Sequence, residues 1–275
     1  MLLSEQSLLL ILFISLVAIF LYVRYKKLQY LQVMQKPFPF EWVSLLEEKL
    51  PIYQKLPEFL QQELQQKIKH FLYTKVFIGC AGLVITDEIK VIIAAEANLL
   101  ILNRPSNCYK SLKWIYVYPS VFVAKREVKN EYGLVAKTRT ALLGESWQNG
   151  KIILAWDNVE SGMRNFHDGH NVVLHEFAHQ LDQESGQANG APLLYTKDSY
   201  HIWSRVFSDE FTQLQKALQQ GKHTLIDRYG ATNPAEFFAV VTEVFFEKPQ
   251  ALQKLHPELF TLLKDYYQLD PRDWN

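Results

Sequence analysis

Hydrophobic residues recur every three or four positions over most of the chain, which predicts that the chain is mainly helical. The helical segments predicted in this way are 40–50, 58–72, 171–183, 201–219, 234–247 and 257–269. Alternating or β-branched runs predict strands within 75–83, 112–124 and 151–156, the second being one strand or a hairpin around Pro119. Helices, a few strands and then more helices indicate an α+β fold with a small sheet.

One predicted helix is apolar on nearly all sides. Thr86 is a suitable N-cap for it, and Asp87 and Glu88 in its first turn complement the helix dipole. Polar residues such as Glu96 and Asn98 interrupt its apolar sequence. We therefore expect a buried core helix here, too short and too interrupted to span a membrane.

The N-terminal segment has a different pattern. The 17 residues from Ser7 to Val23 contain no charge, which is about the lower limit for a membrane-spanning helix. Arg24, Lys26 and Lys27 follow, without a small-residue cleavage site, so the positive-inside rule predicts that the rest of the chain is cytoplasmic. We expect a single-pass anchor of the inner membrane in 1–27, a linker in 28–40 and one domain in 41–275. The alternatives are a buried helix of a cytoplasmic protein and a cleaved signal.

The composition fits one globular domain with a large core. Of 275 residues, 48% are hydrophobic and 21% are charged. Lys and Arg number 29, as do Asp and Glu, so there is no positive excess that would favour nucleic acid as a partner. Cys80 and Cys108 lack the spacing of metal ligands, and we expect reduced thiols in a reducing compartment.

The segment H-E-F-A-H at 175–179 carries the strongest chemical signal. On a helix, residues four apart share a face, so His175 and His179 can reach one zinc ion. Glu176 is placed to reach a water beside the ion, as a general base. The competing interpretation is a chance pattern on a helix without metal. Imidazole and carboxylate ligands would also suit other divalent metals.

A catalytic zinc site needs a third protein ligand and an open position. Glu236 and Glu243 lie seven residues apart on one face of the helix predicted at 234–247, and spacing alone leaves both open as the ligand. Glu236 also stands three residues after Asn233, where its carboxylate could return to the Asn233 amide in a capping box. If Glu236 binds the metal, Glu243 would accept a hydrogen bond from a ligand imidazole.

The turn before the metal-binding helix holds further candidates. His167 and His170 could be ligands in another arrangement, but a polar turn that caps the helix is the favoured interpretation. Asn171 or Asp168 is expected to be the cap. Tyr229, considered alone, is expected to be a packing residue.

Several longer segments resemble the glucose-regulated metallopeptidase family of Mlc titration factor A. They are 79–83 (GCAGL), 85–88 (ITDE), 144–147 (GESW), 154–157 (LAWD), 168–182 (DGHNVVLHEFAHQLD) and 233–240 (NPAEFFAV), and the resemblance covers roughly 35–270. The resemblance implies a zinc peptidase that acts mainly on small aminopeptidase-type substrates. It also implies binding of an Mlc-like repressor of sugar uptake.

The active-site portion is similar to the catalytic domain of anthrax lethal factor. The shared features are the H-E-F-x-H helix and the segment YGATNPAEFFA at 229–239. This resemblance implies that Glu236 is the third zinc ligand and that Tyr229 stabilises the oxyanion. It also implies a mainly helical, gluzincin-like domain over 41–275.

We therefore expect a zinc peptidase whose peptide substrate lies along an edge strand at 152–156. Glu176 would take the proton of the attacking water and later protonate the leaving amine. The alternative is a membrane-tethered anti-repressor with non-catalytic zinc. A structural zinc site is closed by four protein ligands, whereas three candidates fit here, which favours the enzyme.

Overall fold

The computed structural model describes residues 5–104, 109–120, 123–129, 135–141, 150–194 and 196–274. The chain divides into two compact units, Met1–Pro39 and Phe40–Asn275. The first unit contains the helix α1 (Glu5–Gln35), which also covers most of the segment expected to be a linker. The resembling segment 144–147 lies outside the described residues.

Within the described residues, no helix is long and apolar enough to cross a membrane. The prediction of a transmembrane helix over Ser7–Val23 is therefore not supported. The segment does form a helix, but its uncharged run of 17 residues ends at Arg24. Such a run is roughly 26 Å long as a helix, against about 30 Å of hydrocarbon.

The second unit is mainly helical, as predicted. Its α-helices are α2 (Phe40–Lys49), α3 (Pro51–Lys55), α4 (Glu58–Thr74), α5 (Asp87–Leu99), α6 (Trp156–Arg164), α7 (Val172–Gln183), α8 (Lys197–Gln219), α9 (Pro234–Glu247), α10 (Pro249–Leu255) and α11 (Pro257–Tyr267). Several of them begin at a proline, whose fixed φ angle suits the first helical position. The short helices α3, α6 and α10 were not predicted, because so few turns give little periodic signal.

Three strands form a parallel sheet in the order β1 (Val76–Gly79), β2 (Trp114–Tyr118), β5 (Lys151–Ala155). The strands β3 (Val123–Lys129) and β4 (Val135–Ala141) form a separate antiparallel pair. The alternative of a hairpin around Pro119 is wrong, because β2 pairs with β1 and β5 and β3 pairs with β4. The small sheet beside many helices confirms the α+β class.

The helices that carry the site lie in the core. As predicted, α5 is a buried helix, and the Thr86 side chain caps it by accepting a hydrogen bond from the Ile89 amide at 3.3 Å. Helix α7 packs against α5 and α9, and α9 is buried along nearly its whole length. An apolar helix of this kind is stable only when other elements surround it. Several polar residues of these helices, among them Glu96, His179 and Glu243, therefore face protein rather than bulk water.

Candidate metal centre

Helix α7 starts at an asparagine cap. The Asn171 Oδ1 atom accepts hydrogen bonds from the amides of Val173 and Leu174, both at 3.0 Å. Of the two caps considered from the sequence, Asn171 takes this role. Asp168 instead accepts a hydrogen bond from the His170 amide at 2.9 Å, inside the preceding turn. The cap fixes where the helix begins and so the direction of the side chains one turn later.

His175 and His179 lie on the same face of α7, one turn apart. Their Nε2 atoms are 3.2 Å apart, and their ring centroids are 4.8 Å apart at an interplanar angle of 79°. His179 is fully buried, and His175 is partly buried beside a cleft. Two imidazole nitrogens that face each other at this distance require a proton or a cation between them.

Helix α9 brings a carboxylate to the same point. The Asn233 side chain accepts a hydrogen bond from the Glu236 amide at 3.0 Å, and Pro234 occupies the first helical position. The Glu236 Oε2 atom lies 3.0 Å from the Nε2 atom of His175 and 3.3 Å from that of His179. The carboxylate thus points to the two imidazoles rather than back to the Asn233 amide.

These three side chains fit a zinc ion. The possible ligand atoms of His175, His179 and Glu236 all lie within 4.8 Å of one another, and the contacting pairs are separated by 3.0, 3.2 and 3.3 Å. Zinc bonds of about 2.0–2.1 Å at tetrahedral angles place neighbouring ligand atoms about 3.3 Å apart. The donor set and its spacing therefore match three corners of a tetrahedron, with the fourth corner left for solvent or substrate.

Glu243 contacts the opposite edge of the His175 ring. Its Oε1 atom is 2.8 Å from Nδ1 of His175, and its Oε2 atom accepts a hydrogen bond from the Asn171 amide at 2.5 Å. A hydrogen bond from Nδ1 fixes the tautomer whose Nε2 atom carries a free electron pair. Glu236 therefore contacts the Nε2 atom of His175, and Glu243 contacts the Nδ1 atom of the same ring.

The electrostatics of the cluster favour a positive charge at its centre. Burial works against a charged His175, but hydrogen bonds to Glu236 and Glu243 outweigh it and raise the pKa of His175. Burial likewise works against a charged Glu236, but hydrogen bonds from His175 and His179 hold the pKa of this carboxyl well below its usual range. Burial lowers the pKa of His179. A cation at this point would stabilise the carboxylate in the same way as the proton.

A cleft of about 520 Å³ opens beside His175 and is lined by Glu176 and Tyr229. Glu176 is 1% exposed. Tyr229 is about half exposed and lies in the short 3₁₀-helix Arg228–Ala231, with its ring centroid 6.0 Å from that of His175. Burial and the nearby carboxylates of Glu236 and Glu176 raise the pKa of Tyr229 to about 12, so its hydroxyl stays protonated at neutral pH.

The cleft is acidic. Besides Glu176, the acidic residues Asp168, Asp227 and Glu243 line it. No lysine or arginine is found among its described lining residues. A cleft of this charge favours a substrate group that carries a positive charge.

The sequence model of the glucose-regulated metallo-peptidase M90 family matches residues 23–268. The chain belongs to this family. An M90 metallopeptidase acts on peptide or protein substrates and uses a metal ion, for which the cluster of two histidines and a glutamate offers a site. The resemblance to the Mlc titration factor A family, noted from the sequence motifs, is confirmed.

Several proteins are similar to this chain over most of its length. An uncharacterized protein of Synechocystis sp. is 44% identical over 241 residues, which are 87% of this chain and 88% of that protein. Mlc titration factor A of Serratia proteamaculans is 32% identical over 225 residues, covering 81% of this chain and 85% of the relative. Mlc titration factor A of Pectobacterium atrosepticum is 30% identical over 225 residues, with coverages of 81% and 84%.

The structure leaves two of the candidate histidines out of the candidate metal centre. The metal-type cluster found in the described residues consists of His175, His179 and Glu236, so His167 and His170 are not part of it. The His170 amide donates to Asp168 and Glu247, and the residue lines the cleft. This turn serves as the cap of α7, which agrees with the favoured interpretation.

Sequence reasoning missed two buried acids around the centre. Glu96 on α5 and Glu247 on α9 are 0% and 2% exposed, and both contact the segment that leads into α7. Burial raises the pKa of each carboxyl to about 8. A signal was present in the sequence, since an acid inside an apolar helix needs a polar partner.

Proposed function

We propose that this M90 metallopeptidase is a zinc-dependent, aminopeptidase-like enzyme in which His175, His179 and Glu236 hold the ion. One observation carries the proposal. A single Glu236 oxygen lies 3.0 and 3.3 Å from the facing Nε2 atoms of two histidines one helical turn apart. Three protein ligands, with an acid and a tyrosine lining the adjacent cleft, are typical of a catalytic rather than a structural zinc site.

The bound ion would supply a Lewis acid that polarises the scissile carbonyl and acidifies water. Glu176 then accepts the proton of the attacking water and returns it to the leaving amine. Its position supports this role, because it is nearly fully buried yet lines the cleft beside His175. Tyr229 donates its hydroxyl proton in a hydrogen bond to the oxyanion. Its raised pKa favours the protonated form that this role requires.

The acidic lining supports a free amino terminus as the group that the cleft recognises. An α-ammonium group would be attracted by Asp168 and Asp227, and no described lining residue offers a competing positive side chain of lysine or arginine. Strand β5 lies at an edge of the three-stranded sheet. A short peptide can pair with such an edge, as the sequence predicts for residues 152–156. In the structure this strand ends at Ala155, and α6 begins at the next residue, Trp156.

The test is hydrolysis of fluorogenic amino-acid and peptide amides by the full chain. We expect release of amines from substrates with a free amino terminus, loss of activity with a chelator and recovery on addition of zinc. The matched N-acetylated substrates should be poor. Equal rates on free and acetylated substrates would contradict the aminopeptidase assignment, and activity that resists complete metal removal would contradict the zinc mechanism.

Binding of an Mlc-like repressor is a second candidate function. The observation in its favour is that relatives of 32% and 30% identity are named Mlc titration factor A. A pull-down of purified Mlc by the wild-type chain and by the Glu176→Gln variant would test it. Capture by both chains would support a binding role that does not need hydrolysis, and no capture by either would exclude it.

A further inference from the structure

Asn171 connects the metal centre to two other helices. Its amide donates to Glu243 Oε2 at 2.5 Å, and Glu243 Oε1 in turn contacts His175 Nδ1 at 2.8 Å. Both oxygens of Glu243 are thus engaged, one by the imidazole and one by Asn171. The orientation of this carboxylate, and of the imidazole it contacts, therefore depends on where Asn171 lies.

The side chain of Asn171 is held from both ends. Its Oδ1 atom caps α7, and its Nδ2 atom donates to the Glu96 Oε1 atom at 2.9 Å. Its carbonyl accepts the first hydrogen bond of the helix, from the His175 amide at 2.9 Å. Asn171 is 1% exposed and Glu96 is fully buried. Serine or aspartate would also cap α7, but neither offers the amide donor that Glu96 receives.

A second glutamate of α9 fixes the turn that leads to Asn171. Glu247, one turn after Glu243, accepts hydrogen bonds from the amides of Gly169 at 2.8 Å and His170 at 3.2 Å. Three consecutive amides therefore donate to two carboxylates of α9. Gly169 has a φ of 78°, a left-handed conformation that glycine adopts without steric cost.

We infer that Glu96 and Asn171 are positioning residues which, through Glu243, hold the His175 imidazole in its metal-binding orientation. This inference rests on the proposed function. Glu96 lowers the stability of the folded state, because its carboxyl is buried and its Oε2 atom has no hydrogen-bond partner among the described residues. Support for a helix cap alone would not require such a residue. Its contact with Asn171 ties the core helix α5 to the start of α7. The pair acts on orientation and does not touch the substrate.

The test compares substitutions on α5 two residues apart. Glu96→Leu removes the acceptor of the Asn171 side chain. Asn98→Leu is the matched control, because Asn98 is similarly buried and its side chain donates within its own helix, to the Ala94 carbonyl at 2.6 Å. Glu96→Gln keeps the shape and an acceptor oxygen. Zinc affinity is measured in the full chain by competition with a chromogenic chelator, alongside kcat, KM and thermal unfolding of the metal-free protein.

We expect Glu96→Leu to weaken zinc affinity about 10- to 100-fold relative to Asn98→Leu, as is typical when support behind a ligand is lost. Glu96→Gln should stay within about threefold of wild type. Asn171→Ser keeps a capping hydroxyl but loses the amide donor to Glu96. It should weaken zinc affinity as much as Glu96→Leu does. Because both substitutions break the same contact between Asn171 and Glu96, the double variant should bind zinc no more weakly than either single variant.

Equal zinc affinity in Glu96→Leu and Asn98→Leu would overturn the inference while leaving the peptidase intact. If Glu96→Leu does not fold, Asn171→Ser decides in the same way, and wild-type affinity in that variant would overturn the inference. Failure of the wild-type chain to bind zinc would overturn the proposed function and this inference together.

Discussion

Helices α7 and α9 build the centre in different ways. Both begin at an asparagine cap and both are buried. Helix α7 contributes two imidazoles four residues apart, so helix geometry alone brings them together. Helix α9 contributes glutamates whose roles depend on how the helix lies against α7. The two imidazoles of α7 are therefore brought together by local sequence, whereas the glutamates of α9 reach them only through tertiary packing.

The three glutamates of α9 contact successive parts of α7 and its entry turn. Glu236 faces the Nε2 atoms, Glu243 faces the Nδ1 atom of His175, and Glu247 binds the amides of Gly169 and His170. One kind of side chain thus serves as the candidate ion ligand, as support for an imidazole and as an anchor for a loop. Similar substitutions along α9 should therefore have unequal effects.

The largest effect is expected for Glu236→Gln. Loss of the anionic oxygen between the two imidazoles should abolish stoichiometric zinc and detectable hydrolysis. The same change at Glu243 should weaken zinc affinity only about 10- to 100-fold, because it removes support rather than a ligand. Metal analysis after dialysis and chelator competition measure both. Equal losses in the two variants would contradict the division of roles along α9.

Glu176→Gln tests the role of α7, whose chemical groups are close together in the sequence. The amide cannot accept a proton, so kcat should fall about 10³-fold, within the range known for general bases. Zinc content should be unchanged, since this side chain is not among the three proposed ligands. Turnover near the wild-type rate in a zinc-loaded variant would remove Glu176 from the mechanism.

Tyr229→Phe should have a smaller effect. Without the hydroxyl donor, kcat should fall about 10²-fold, as when one oxyanion donor is removed. KM and zinc content should change little, because the ring still lines the cleft. A rise in KM at constant kcat would instead assign Tyr229 to ground-state binding.

The last prediction concerns stability and leaves the chemical step untouched. Burial raises the pKa of Glu96 from 4.5 to about 8, so the folded state holds its proton more tightly than the unfolded state does. Stability from this group is present below about pH 4.5 and is lost as the pH rises through about 8. The stability that Glu96→Gln gains relative to wild type should therefore grow with pH above about 4.5 and reach roughly 2–4 kcal/mol between about pH 6 and 8.

Urea unfolding of the metal-free protein at several pH values would measure this gain. Glu247 titrates in the same direction, so part of the pH dependence should remain in the variant. A stability difference between wild type and Glu96→Gln that does not change with pH would contradict a protonated Glu96.

The features that depend on residues close together in the sequence could be predicted. The spacing of His175 and His179 gave the paired imidazoles, and Asn233 with Pro234 gave the start of α9. Spacing alone could not choose between Glu236 and Glu243, which share a face of α9. The resemblance implied Glu236, and the packing of α9 on α7 separates the two physically. The parallel pairing of β1, β2 and β5 is equally non-local. The prediction of a transmembrane helix is not supported, and it rested on an apolar run near the lower limit for a span.

The most direct test of the centre is a crystal structure of the full chain grown with zinc, with anomalous data collected on both sides of the zinc absorption edge. We expect one anomalous peak within bonding distance of the Nε2 atoms of His175 and His179 and a carboxylate oxygen of Glu236. Glu243 would remain on the Nδ1 side of His175. A zinc-loaded chain whose peak lies elsewhere, or whose ion is bound by Glu243 in place of Glu236, would contradict it.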